Sequence, residues 1–301
     1  MPTEESPDLA ILLPSWQLAL RAERKSPQTV KSYTDGVRRF LAWAEETGAP
    51  AVLDKPTVNA LTVDLIDQGA EGATVRSRQL GVRRFSAWLA EEGEIPTDLL
   101  IGSKPPKLDQ KTIHPLDEDQ IKALIKACQG TDYRDRRDEA LVRFMVETGT
   151  RAGEVIAIQI ADVDLTKGIA VVRRGKGAKG RLVPFGSQTA RAVDRYIRAR
   201  RTHRLADSPA LWLGDRNRGG LSYYGLHYAL KGRAAAAGIE GFHPHRLRHT
   251  MADRWLSAGG SEGGLMSVAG WSQPDMLMRY TRARASERAA AEARALNLGE
   301  L

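Results

Sequence analysis

One hydrophobic pattern occurs twice in the first hundred residues: VRRFLAWAEETG at 37–48 returns as VRRFSAWLAEEG at 82–93. In each copy Val37 or Val82, Phe40 or Phe85, and Leu41 or Leu89 fall at helical spacing, and Gly48 or Gly93 ends the helix. The pattern predicts a duplicated helical hairpin, with helices over about 8–24, 27–47, 57–68 and 73–92 packed as a small bundle. Two short copies are too few for a solenoid.

Periodicity lapses over 95–115, IPTDLLIGSKPPKLDQKTIHP, where four prolines mark a linker. It resumes at LDEDQIKALIKAC, with Asp117 and Gln120 placed as a capping box, and continues in DEALVRFMVETG, closed by Gly149. The period then changes. DVDLTKGIAVVRRGKGAKGRLVPF alternates short β-branched runs with glycine-rich turns, which predicts a small antiparallel sheet. Helical patterns return over about 187–204, 222–237, 245–258 and 274–296. The expected fold is mainly α with one small antiparallel β-sheet, divided into residues 1–103, a linker at 104–115 and a second domain at 116–301.

Composition narrows the function. A 301-residue chain with 42% hydrophobic content can bury a substantial core, and one cysteine, Cys128, excludes an internal disulfide framework. The opening MPTEESPDLAILLPSW lacks the basic start and long apolar run of a signal peptide, and no stretch reaches the roughly 20 apolar residues of a membrane span. A cytoplasmic protein without a membrane partner is expected. The net charge of +8 is uneven: residues 1–100 hold 11 Lys/Arg against 15 Asp/Glu, and residues 101–301 hold 34 against 22. A basic second domain suggests a polyanionic partner, nucleic acid first, with plain solubility as the alternative. Arg38, Arg39, Arg76, Arg78, Arg83 and Arg84 could add a DNA-facing stripe to the otherwise acidic bundle, or be ordinary solvated positions.

The densest chemistry is HPHRLRH at 243–249. A metal reading uses His245 and His249, four apart on one helical face, but Arg246 stands where a zinc-site glutamate would be and two arginines repel a cation. A phosphate reading fits better: Pro244 opens a helix, His245 and Arg248 share a face, and Leu247, Met251 and Trp255 line a core face. His243 and His249 read as structural. Three further elements are weak singly: Arg151 in TGTRAGE, Lys176 at the glycine-flanked tip of RRGKGAKGR, and Tyr280 in VAGWSQPDMLMRYTRARA, where an aromatic on a helix could equally be core.

In order and spacing, TGTRAGE, RGKGAKGR, HPHRLRHT and AGWSQPDMLMRYT together resemble the tyrosine recombinase, or phage integrase, family, and the resemblance covers nearly the whole chain. It implies a two-domain DNA clamp: an N-terminal four-helix, SAM-like core-binding domain, then the catalytic domain. It also implies strand transfer without metal, ATP or other cofactor. Tyr280 would attack a phosphodiester to give a 3′-phosphotyrosyl link and a free 5′-hydroxyl, storing the bond energy for rejoining. Arg151 and Arg248 would clamp the non-bridging oxygens, Lys176 would protonate the departing oxygen, and His245 would take the tyrosine proton. Trp271, where many members carry histidine, can donate a hydrogen bond but not shuttle a proton. Glu154 and His249 would support the site from behind, and Arg173, Arg174, Lys179 and Arg246 would touch DNA.

The same resemblance implies a homotetramer on two double-stranded DNA sites, passing through a Holliday junction, with the C-terminal helix exchanged between protomers. A second recombinase or a directionality factor is a compatible partner. One bundle before the catalytic domain leaves no room for an arm-binding domain, which favours a Xer-like enzyme or a short phage integrase. The competing classes are a catalytically silent DNA-binding protein of the same fold and a histidine-based metal nuclease.

Overall fold

The computed structural model describes residues 8–107, 114–173, 180–215, 219–274, 277–278, 290 and 293–294. The chain divides into two compact units, Met1–Lys111 and Thr112–Leu301.

The first unit holds four helices, α1 (Leu9–Ala22), α2 (Pro27–Thr47), α3 (Lys55–Asp67) and α4 (Gly72–Glu91). Their starts are written locally. Asp8, Ser26 and Asp54 each accept from backbone N–H groups of the first turn, and a proline follows Ser26 directly. Gly48, at φ 69°, ends α2 in the left-handed conformation that costs glycine least. Trp16, Val37, Phe40, Val75, Val82, Phe85 and Leu89 fill the core. The duplication is visible in three dimensions: Phe40 stacks on Trp43 in one copy and Phe85 on Trp88 in the other.

The two copies also touch. Ser32 and Ser77 share a hydroxyl hydrogen bond of 2.9 Å. A Cβ on Gly36 would stand 2.6 Å from the Arg78 carbonyl oxygen, and one on Gly81 would meet the Tyr33 carbonyl oxygen closer still. Each pair sits at equivalent places in the repeat, so α2 and α4 cross backbone to backbone at their matching glycines.

The second unit is built on α6 (Tyr133–Thr148), around which α5 (Glu118–Lys126), α8 (Ser187–Arg200), α9 (Tyr223–Ala236) and α10 (His245–Ser257) pack. Asp117 and Gln120 form the expected capping box. A three-stranded antiparallel sheet, β1 (Val163–Asp164), β2 (Ile169–Val172) and β3 (Arg181–Pro184), pairs in that order, with Val171 opposite Leu182. A short helix α7 (Ala152–Ile156) precedes the sheet. Inside the unit, Arg137 bonds Asp215 at 2.6 Å and Asp138 at 2.9 Å, while Arg233 reaches Asp138 and Asp135, so a network of paired charges ties α6 to α9.

One helix was not expected. α11 (Glu262–Ala269) begins at the Ser261 cap and stops at Gly270, φ 65°. Its Gly263 and Gly264 lower intrinsic helix propensity, and burial of Leu265 and Ala269 against Met251, Leu256 and Trp271 overrides that. Trp255, expected in the core, is only half-buried and donates its indole N–H to the Ser261 carbonyl at 2.9 Å. Of the helix expected over 274–296, most lies outside the described residues.

Candidate active site

The site begins where α6 ends. Gly149 adopts φ 61°, the left-handed conformation that glycine takes at least cost, and a Cβ there would have to push the Met251 methyl aside. Two consequences follow within three residues. The Gly149 carbonyl is left facing α10, where it accepts from Arg248 Nη1 at 2.6 Å. Arg151 becomes the first residue before α7, and its backbone N–H donates to Glu154 Oε2 at 2.8 Å.

Arg248 is 1% exposed. Its second amino group donates to the Ala269 carbonyl at 2.7 Å, and its guanidinium lies 5.2 Å from the Trp271 ring centroid. Cation–π contact with a desolvated arginine is worth about 2 kcal/mol. The side chain is therefore fixed from three directions, by the end of α6, the end of α11 and an indole face. Trp271, 6% exposed, packs in the small cluster with Met251, Leu256 and Leu277.

Arg151 keeps about a third of its side chain exposed and gives one donor, Nη1, to Glu154 Oε1 at 2.9 Å. A guanidinium has five donors, and Arg151 lines the cleft beside His245. Glu154 is buried, which by itself would raise its pKa. Hydrogen bonds from Arg181, the Arg151 backbone and the Arg151 side chain outweigh that and hold the carboxyl down at about 2. It is ionised across the working pH range.

His245 opens α10 and shares a cleft of about 520 Å³ with Arg151, Glu154, Tyr223, His227 and His243. Desolvation, then the charges of Arg248, His243 and Arg151, push its pKa down to about 4. The ring is exposed to the cleft, and the Arg248, His243 and Arg151 charges around it all disfavour the imidazolium. At neutral pH the imidazole is uncharged and able to accept a proton. His249 is buried, its ring meeting that of His245 edge to face at 4.8 Å, and His243 stacks at 6.5 Å on the other side.

Thus Arg151, His245, Arg248 and Trp271 come together, with Glu154 and His249 behind them. Lys176 and Tyr280 lie outside the described residues, as do Arg174 and Lys179. Arg173 is exposed and ion-paired with Asp162. Arg246 holds the backbone, donating to the His114 and Glu240 carbonyls at 3.1 and 2.8 Å.

In the bundle, Arg38 and Arg78 both reach Asp35, at 3.6 and 3.8 Å. Arg39 sits apart, held by Glu46 and Gln68 towards α3. Arg76 and Arg84 are exposed and Arg83 is half-buried.

Three residues near the site escaped the sequence reading. Tyr223 and His227 line the cleft from α9, and nothing local marks them. Arg181 did have a signal: it alternates with Leu182 and Val183 on β3, which turns it to the same inner side as buried Val183. It grips Glu154 through both amino groups, at 3.0 and 2.8 Å.

Among the described residues no helix is long and apolar enough to cross a membrane, and no three His, Cys, Asp or Glu side chains converge to hold a metal ion. Residues 114–287 match the phage integrase family. The chain is 32% identical over 284 residues to tyrosine recombinase XerD of Corynebacterium glutamicum, spanning 90% of this chain and 93% of the relative. It is 30% identical over 273 residues to tyrosine recombinase XerA of Thermococcus kodakarensis, spanning 90% of each. Among solved structures, a XerA recombinase crystal structure covers 91% of this chain and 94% of its own, with 25% identity and a TM-score of 0.52. The Tn1549 transposon integrase in complex with transposon right end DNA covers 96% and 99%, at 17% identity and a TM-score of 0.73, a likeness of fold. The chain belongs to the phage integrase family of tyrosine recombinases.

Proposed function

We propose that this site-specific recombinase cuts and rejoins duplex DNA through Tyr280. The Tyr280 Oη attacks a phosphorus, the P–O5′ bond breaks, and a 3′-phosphotyrosyl link forms. His245 takes the phenolic proton and Lys176 supplies one to the departing 5′-oxygen. Arg151 and Arg248 hold the two non-bridging oxygens as negative charge builds on them, and the Trp271 indole packs and steadies Arg248. Attack of another strand's 5′-hydroxyl on the link reverses the chemistry and frees Tyr280.

The observation that carries this reading is the convergence of Arg151, at the start of α7, with His245 and Arg248, both near the start of α10, which sets an uncharged imidazole beside two arginines. A metal ion would meet two fixed positive charges there; a phosphate meets its complement. The reading further places four protomers on two duplexes, in the cytoplasm where chromosomal DNA is reached, and divides the chain at 104–115 between a core-DNA-binding domain and the catalytic domain. Relatives named XerD and XerA and an integrase bound to DNA support it.

DNA trapped covalently on the wild-type chain in cells identifies the target by sequencing, and a nicked duplex of that sequence then serves as a suicide substrate. The wild type is expected to accumulate a covalent complex in the presence of EDTA; Tyr280→Phe is expected to bind the duplex and form none. Covalent complex in Tyr280→Phe would remove Tyr280 as nucleophile. Loss of trapping in EDTA would favour a metal nuclease, and binding without any trapping by the wild type a silent DNA-binding protein.

A further inference from the structure

A carboxylate beside a phosphate clamp poses an electrostatic problem. Glu154 bonds Arg151 through both its backbone and its side chain, and a buried carboxylate with one cationic partner would draw that cation into a neutral pair. A neutral pair is a poor ligand for a phosphate dianion-like transition state. The structure supplies a second cation. Arg181, its side chain 10% exposed, meets both Glu154 oxygens with a two-pronged guanidinium, Nη1 to Oε1 at 3.0 Å and Nη2 to Oε2 at 2.8 Å. Arg151 meets the same carboxylate with one side-chain donor. The three side chains carry two positive charges against one negative, and the exposed partner, Arg151, is the one left facing the cleft.

Arg181 has a second attachment. Its Nε donates to the Val268 carbonyl at 2.7 Å, one residue before Ala269, whose carbonyl accepts from Arg248. One side chain on β3 therefore touches the support of both arginines of the clamp.

We propose that Arg181 is a positioning residue for strand cleavage: it neutralises Glu154, so that the charge of Arg151 stays available to the scissile phosphate, and it sets the end of α11 on which Arg248 rests. The proposal rests on the reading that Arg151 and Arg248 clamp that phosphate. Among the described residues the ion pairs of Glu154 are with Arg151 and Arg181; Arg173 is engaged by Asp162, and His245 and His243 across the cleft are pushed towards the neutral form.

The test uses the full chain and the nicked duplex recovered from wild-type covalent complexes, with single-turnover trapping at saturating DNA. Arg181→Met is expected to slow trapping on the order of tenfold, less than loss of a direct oxyanion donor. Without Arg181 the Glu154 pKa rises, so lowering the pH from about 7.5 to about 5.5 is expected to return part of the rate relative to wild type at each pH. Adding Glu154→Gln to Arg181→Met is expected to restore part of it at every pH, and Arg181→Lys to lie between Met and wild type. A purely structural role predicts no return at low pH and no gain from Glu154→Gln, and that outcome overturns the proposal, as does an Arg181→Met rate equal to wild type. Should Arg181→Met melt below the assay temperature, Arg181→Lys carries the same pH comparison, and a pH-independent deficit there overturns it. Failure of the wild type to trap any DNA would instead fall on the recombinase chemistry itself.

Discussion

Arginine is handled in opposite ways by the two units. In the bundle, exposed Arg38 on α2 pairs with half-buried Asp35, and half-buried Arg39 pairs with the solvated carboxylate of Glu46. Pairs with one solvated partner contribute little, because water competes for that partner and two long side chains lose freedom. In the second unit Arg248 is buried between two backbone carbonyls and an indole, and Arg151 is anchored to a buried carboxylate. The same side chain is thus replaceable in one place and structurally committed in the other. What differs is whether its partners can find water when it is removed.

The contrast is broken most directly at Arg248. Arg248→Ala is expected to abolish covalent trapping and to cost about 3 kcal/mol in denaturant unfolding, since the Gly149 and Ala269 carbonyls lose their donors. Arg248→Lys should restore little, having one point charge where the site uses a fork. A variant with wild-type melting would show that these carbonyls find other partners.

Next in size is an acid effect. The folded Glu154 pKa of about 2 lies below its ordinary value of 4.5, so its stabilisation is complete above pH 4.5 and is lost as the pH falls through about 2. That amounts to about 3 kcal/mol between the two limits. Glu154→Gln should flatten this part of the acid unfolding profile, and an unchanged profile would locate the acid sensitivity elsewhere.

The bundle has its own point of no tolerance. Gly36→Ala inserts a methyl group 2.6 Å from the Arg78 carbonyl oxygen and is expected to cost about 2 kcal/mol, read by thermal melting. The smallest change is expected from Arg38→Ala and Arg39→Ala, within about 0.5 kcal/mol of wild-type stability. If they touch phosphates, each lowers the slope of log binding constant against log salt by about 1. An unchanged slope would leave them as partners of Asp35 and Glu46 alone.

Much of this was legible in the chain because its signals are local. Ser26, Asp54 and Asp117 cap helices through atoms a few residues away, and the heptad HPHRLRH placed His245 and Arg248 on one helix near its start. What stayed hidden depends on partners distant in sequence. Gly36 and Gly81 read only as weak helix formers until α2 and α4 meet. α11 forms because Leu265 and Ala269 have a surface to cover. Arg181 pointed inward by alternation, yet its partner Glu154 is named only once β3 folds back over α7.

Arg248 joins three stretches of chain that are far apart in sequence, the end of α6, its own helix and the end of α11. None of them can hold the guanidinium alone. A nascent or partly melted chain therefore carries Arg151, His245 and Arg248 without the arrangement that, on the proposed reading, lets them act on a phosphate. On that reading the staple acts as a safety catch: the blade exists only after the handle is complete.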